Sequence, residues 1–141
     1  MKNNLLSICI FISALFISNF AVSQNKPTSW AELKTYHSIM SSTFHPSEEG
    51  NLEPIKTRSG ELAEAAKAWN KSTPPAEFNK PTVKETLKHL EEESIALDKL
   101  IKEKKATDAE IKAVLEKLHD RFHEVVGACK NEGEEHEHKS K

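Results

Sequence analysis

Apolar residues recur at intervals of three and four along most of this chain, which is the spacing of an amphipathic helix. The pattern restarts four times, and runs of alternating apolar and polar residues, which would indicate strands, are missing. Four amphipathic helices with short connections are typical of an all-α, up-down-up-down antiparallel four-helix bundle. The predicted helices cover residues 29–44, 53–69, 81–105 and 107–129.

Capping residues mark the ends of these predicted helices. Ser29 is a good N-cap for the first helix, and Pro81 suits the first turn of the third. Thr107, with Glu110 three residues later, has the sequence of a capping box at the start of the fourth helix. The segment at residues 45–51 contains a proline and a glycine, so we expect it to end the first helix.

The two ends of the chain differ from the helical part. Lys2 precedes an apolar stretch at residues 5–20, and small residues follow up to Ser23, which indicates a signal peptide cleaved after Ser23. The apolar stretch is short for a membrane span, so we expect no span after cleavage and a periplasmic or secreted protein. The predicted organisation is a signal peptide at 1–23, one bundle domain at 24–132 and a disordered charged tail at 133–141.

Charge and cysteine content narrow the range of partners. The chain has 20 basic and 22 acidic residues and a formal net charge of −2, with no basic block, so nucleic acid is not an expected partner. Cleavage would remove Cys9 and leave Cys129 as a single thiol, which is free, paired with another chain or bound to metal. We expect a monomer or a weak homodimer.

Histidines provide the clearest candidate chemistry. His119 and His123 lie one helical turn apart, so both imidazoles project from one side of the fourth helix. His37 and Met40 fall at the centre of the first helix's apolar stripe, and His89 falls on the flank of the third helix's stripe. Matching the heights of antiparallel helices brings these residues into one layer, with Glu61 as a further neighbour.

This predicted layer indicates a metal site. Its ligand set comprises His37, His89, His119, His123 and Met40. Imidazole with thioether suits copper, and imidazole with carboxylate suits zinc or iron. The alternative is that His37 is a hydrogen-bonded core histidine and that the other histidines are exposed.

Three further features are weaker indications. Arg58 falls on the inner side of the second helix, so we expect it to pair with a carboxylate or a ligand. His45 with Glu48 and Glu49 has the composition of an outer metal site, but a polar inter-helix loop explains this segment better. Two histidines in the tail at 133–141 would bind divalent ions only weakly.

Three segments of the sequence resemble those of a known group of proteins. The predicted bundle has Met40 in its first helix, a Ser-Thr-Pro-Pro loop at residues 72–75 and an Arg-Phe-His sequence at residues 121–123. With these features, the part from about Trp30 to Cys129 resembles the cytochrome c-prime and soluble b-type four-helix cytochrome group. The resemblance implies a four-helix bundle fold.

The same resemblance implies a haem site. In b-type members a helix 1 methionine and a helix 4 histidine hold haem noncovalently, and Met40 and His123 are the nearest matches, with His119 second. The c-prime members attach haem through C-x-x-C-H near the end of helix 4. That motif fails around Cys129, which excludes covalent haem.

Three functions remain open from the sequence. We expect a metal-binding bundle that buffers, carries or senses copper or zinc, because additional histidines at one level favour a bare ion. The alternatives are a noncovalent b-type haem protein in electron transfer and a ligand-free structural or adaptor bundle. We do not expect an enzyme, because no nucleophile–base motif or H-E-x-x-H occurs and the E-x-x-H sequence of a di-iron site occurs only once.

Overall fold

A computed structural model describes residues 30–128, and its regular elements are all helical. No strand occurs within this described range, which confirms the predicted all-helical class. The predicted signal peptide at 1–23 and the predicted tail at 133–141 lie outside it. The helices are α1 (Ala31–Glu48), α2 (Glu53–Lys71), α3 (Pro81–Lys102) and α4 (Asp108–Gly127), with a short 3-10 turn at Ala76–Phe78.

Helices that follow one another in the chain pack together. Trp30 Nε1 donates a hydrogen bond of 2.7 Å to Ser72 Oγ, which brings the start of α1 beside the end of α2. Lys80 Nζ donates a hydrogen bond of 2.7 Å to the Ala128 carbonyl, which brings the start of α3 beside the end of α4. The α1 and α4 helices also meet, but less extensively than the other neighbouring pairs.

An apolar core fills the space between the helices. Met40, Leu62, Leu90 and Leu118 are completely buried, one from each helix. Burying a side chain of this size stabilises the fold by about 1.5–3 kcal/mol. Trp69 is also completely buried and packs edge-on against the ring of Trp30.

The start of α4 follows the prediction closely. Thr107 Oγ1 accepts a hydrogen bond from the Glu110 amide at 3.3 Å, and the Glu110 carboxylate accepts one from the Thr107 amide at 2.7 Å. The backbone hydrogen bond from Thr107 holds the pKa of Glu110 below its usual value. The predicted capping box is therefore confirmed.

The end of α1 differs from the prediction. The helix continues through Pro46 to Glu48, so the prediction that it ends at Phe44 is wrong. A proline in the last turn removes one amide donor, but the carbonyl of Pro46 still accepts hydrogen bonds from the amides of Glu49 and Asn51. The helix ends instead before Gly50, whose φ of 85° is readily adopted only by glycine.

Charged residues occupy the outer helix faces. Arg58 donates hydrogen bonds from Nη2 to Glu61 Oε2 at 2.7 Å and from Nη1 to Ser42 Oγ at 2.6 Å, so its predicted pairing with a carboxylate is confirmed. Its side chain is partly exposed at the rim between α1 and α2, rather than on the inner side of α2 that the sequence predicted. None of the helices in the described range is both long and apolar enough to cross a membrane.

Candidate metal site between α1 and α4

Histidine and phenylalanine rings line the groove between α1 and α4. His37 of α1 stacks on Phe122 of α4, with ring centroids 4.9 Å apart and ring planes 9° apart. His119 of α4 stacks on Phe44 of α1, with centroids 3.9 Å apart and planes 7° apart. Both phenylalanines are buried, so they form the floor of this α1–α4 groove and the imidazoles form its outer layer.

The closest approach of two imidazoles is between His119 and His123. Their Nε2 atoms lie 3.2 Å apart, as the spacing of one helical turn predicts. Two nitrogen ligands bound at about 2.0–2.1 Å to one tetrahedral ion are separated by about 3.3 Å. At this distance the Nε2–H of one ring can donate a hydrogen bond to the Nε2 of the other, and the same separation would suit two ligands of a single ion.

The surroundings of His119 favour its neutral form. Burial lowers the pKa of His119, and the nearby imidazoles of His123 and His45 lower it further. Asp120 and Glu48 act in the opposite direction, but the net change is downward. Because neutral imidazole is the form that binds metal, this environment favours ligation at neutral pH.

A further histidine and a carboxylate adjoin this pair. His45 Nδ1 lies 3.0 Å from Glu48 Oε2, and both side chains belong to the last turn of α1. The His45 ring is 5.7 Å from the Phe44 ring, on which His119 stacks. The sequence indicated His45 and Glu48 as part of an outer metal site but favoured a polar loop at residues 45–51, whereas α1 continues to Glu48 and includes both side chains.

Two predicted residues of α1 have different positions from those expected. His37 is exposed rather than at the centre of the buried stripe, because the buried face passes through Tyr36, Met40 and Thr43. Met40 is at the centre of that stripe, as predicted, and its side chain is completely buried. It therefore lies in the core and not with the exposed imidazoles of the groove.

His89 has a carboxylate neighbour on its own helix. Its Nδ1 is 3.7 Å from Glu92 Oε2 on α3. Arg121 of α4 binds Glu93 of α3, whereas His119 faces α1 from the other flank of α4. The described contacts of His89 are with α3, and none joins it to His119, so its place in the predicted layer stays a prediction.

Glu61 is also separate from the groove. It is exposed on α2 and binds Arg58, so it does not complete the predicted layer. The error arises because the heights along the helices were matched without knowing which flank each side chain occupies. The residues that the structure does bring together in the groove are His37, His45, His119 and His123.

The positions of the described side chains bear on both the metal hypothesis and the haem hypothesis. Among residues 30–128, no three His, Cys, Asp or Glu side chains already converge as a metal-binding group. Cys129 and the tail histidines lie outside that range. The haem alternative requires Met40 and His123 on opposite sides of one cleft, but Met40 is in the core and His123 is exposed beside Phe122.

No family model, curated protein or solved structure matches this chain. The resemblance to the cytochrome c-prime and b-type group therefore stays a prediction.

Proposed function

We propose that this protein binds a divalent copper or zinc ion through His119 and His123, and that it buffers, carries or senses that ion. The observation that carries the proposal is the 3.2 Å separation of the two Nε2 atoms. Imidazole is a suitable ligand for both ions, and the lowered pKa of His119 favours its ligating form. A periplasmic or secreted location would agree with this role.

We also propose that the helices run up-down-up-down. The contacts between the start of α1 and the end of α2, and between the start of α3 and the end of α4, support this order. In such a bundle α1 and α4 are antiparallel neighbours, and ligands can come from two facing helices. The histidine pair on α4 would then face the last turn of α1.

Calorimetric titration of the purified protein with Zn²⁺ and with Cu²⁺ at pH 7.5 tests the proposal. We expect one ion per chain in the wild type and loss of this binding in the double variant H119A/H123A. The expected loss is at least about 100-fold in affinity, because both proposed ligands are removed. H89A is the matched control, since it removes an imidazole from α3 and should leave the affinity unchanged.

Two further measurements keep the test specific. Circular dichroism should show equal helicity in the wild type and in H119A/H123A, because neither side chain is part of the core. Deletion of residues 133–141 should remove only weak additional binding. Unchanged affinity in H119A/H123A would contradict the proposal. A Soret band that disappears in M40A and in H123A would replace it with the haem alternative.

A further inference from the structure

The contact between His45 and Glu48 has the form of an oriented metal ligand. Histidines that bind metal through one ring nitrogen commonly donate the other N–H to a carboxylate, which fixes the tautomer and the ring orientation. With Nδ1 at 3.0 Å from Glu48 Oε2, the Nδ1–H can donate to the carboxylate, and the lone pair is then on Nε2.

His45 is placed near the pair on α4. The rings of His45 and His119 both contact Phe44, at centroid distances of 5.7 Å and 3.9 Å. The side chains of His45 and Glu48 are 64% and 54% exposed, so rotation toward His119 is not blocked by core packing.

His37 is the competing ligand from α1. Its ring lies flat against Phe122, at 4.9 Å and 9°, and no hydrogen bond orients it within the described range. Turning a ring nitrogen of His37 toward an ion beside His119 would disrupt this stacked contact. His45 has only an edge contact with Phe44 and already has a carboxylate partner.

We infer that His45 is the third ligand of the ion held by His119 and His123, and that Glu48 is its positioning residue. The inference rests on the proposed function and extends it. The ion then joins α1 to α4, which is the least extensively packed pair of neighbouring helices. Three imidazoles leave the fourth position of a tetrahedral ion open to water or to an incoming ligand, as suits an ion that is taken up and released.

Zinc titrations of the variants H45A, E48Q and H37A, with H89A again as a control, test this ligand set. We expect H45A to keep a stoichiometry of one and to lose at least about 100-fold in affinity, and E48Q to lose about tenfold, since it keeps the shape but weakens the orienting contact. H37A, the matched loss of an α1 imidazole, should bind like the wild type, as should H89A. Circular dichroism checks that each variant is folded.

Amide hydrogen exchange tests the joining of the two helices. Zinc should slow exchange in the last turn of α1 in the wild type, because that turn becomes fixed to α4, and should not slow it in H45A. If H45A binds zinc with wild-type affinity, or if H37A loses affinity instead, the inference about His45 is overturned. The proposed binding by His119 and His123 would still stand. Failure of the wild type to bind Zn²⁺ and Cu²⁺ would overturn the proposed function itself.

Discussion

The two flanks of α4 contact their neighbours in opposite ways. On the α3 side, Arg121 donates hydrogen bonds of 2.6 Å and 2.9 Å to Glu93, and Lys117 lies 2.8 Å from the same carboxylate. On the α1 side, His119 and His123 meet aromatic rings and each other. The polar atoms of one flank join α4 to α3 through ion pairs, whereas the other flank has the ring nitrogen atoms that we propose as ligands.

The same contrast appears in the titration of the two flanks. Burial raises the pKa of Glu93, but the hydrogen bonds from Arg121 and Lys117 outweigh it, so its pKa lies below the usual value. Burial lowers the pKa of His119 in the α1–α4 groove. The α3 flank therefore favours a charged carboxylate, and the α1 flank favours a neutral imidazole.

The largest effect should come from the core side chain between the two flanks. Leu118 is completely buried, and L118A should lower the free energy of unfolding by about 2–5 kcal/mol, because it removes apolar contacts and leaves a cavity. Urea unfolding measures the change. The matched control is I95A, which truncates a side chain that is 46% exposed and should cost far less. Equal losses in both variants would contradict the described core.

Loss of the ion pair on the α3 flank should have a smaller effect. R121A should cost about 1–2 kcal/mol at pH 7, because Glu93 is partly buried and would keep only Lys117 as a partner. The pKa of Glu93 is depressed in the folded state, so this stability is present above its unfolded pKa of about 4.3 and is lost as the pH falls through the folded value.

Urea unfolding of R121A and the wild type at pH 7 and at pH 3 measures this dependence. R58A is the control, because Arg58 pairs with an exposed carboxylate on α2 and should cost less. A difference between R121A and the wild type that stays constant down to pH 3 would argue against a stabilising role for the Glu93 pair.

The smallest effect should come from the groove histidine in metal-free protein. H119A should cost about 0.5–1.5 kcal/mol at pH 7.5, from loss of the stack on Phe44. Because the folded pKa of His119 is lowered, the unfolded chain binds its proton first, and stability falls as the pH drops below the unfolded pKa of about 6.5.

Unfolding in a chelator at pH 7.5 and pH 5.5 tests this dependence. H119A should flatten the decrease in stability between the two pH values, and H89A should not. If the wild type gains stability at the lower pH relative to H119A, the described environment of His119 is incorrect.

Local signals predicted local structure well. The Thr107–Glu110 capping box and the one-turn pairing of His119 with His123 depend only on residues three or four positions apart, and both occur as expected. The burial of Met40 follows from helical periodicity in the same way. These features need no knowledge of the neighbouring helices.

Positions that depend on two helices were predicted poorly. Glu61 was matched to the histidines by height alone, but the sequence does not specify that its side chain is exposed on α2 and binds Arg58. His45 was assigned to a loop because Pro46 is a strong helix-breaking signal. The helix nevertheless continues through Pro46 to Glu48, and this brings His45 and Glu48 together in its last turn.

The aromatic contacts behind the groove place a fluorescent indole close to the histidine pair. The Trp69 ring lies 6.0 Å from Phe122, and Phe122 lies 5.4 Å from His123, so the buried indole is only two ring contacts from the histidine pair. Cu²⁺, with its partly filled d shell, quenches indole fluorescence at such distances, whereas Zn²⁺ has a filled shell and does not. If either ion binds at the proposed site, the emission of Trp69 and of its neighbour Trp30 would distinguish Cu²⁺ from Zn²⁺ without any attached label.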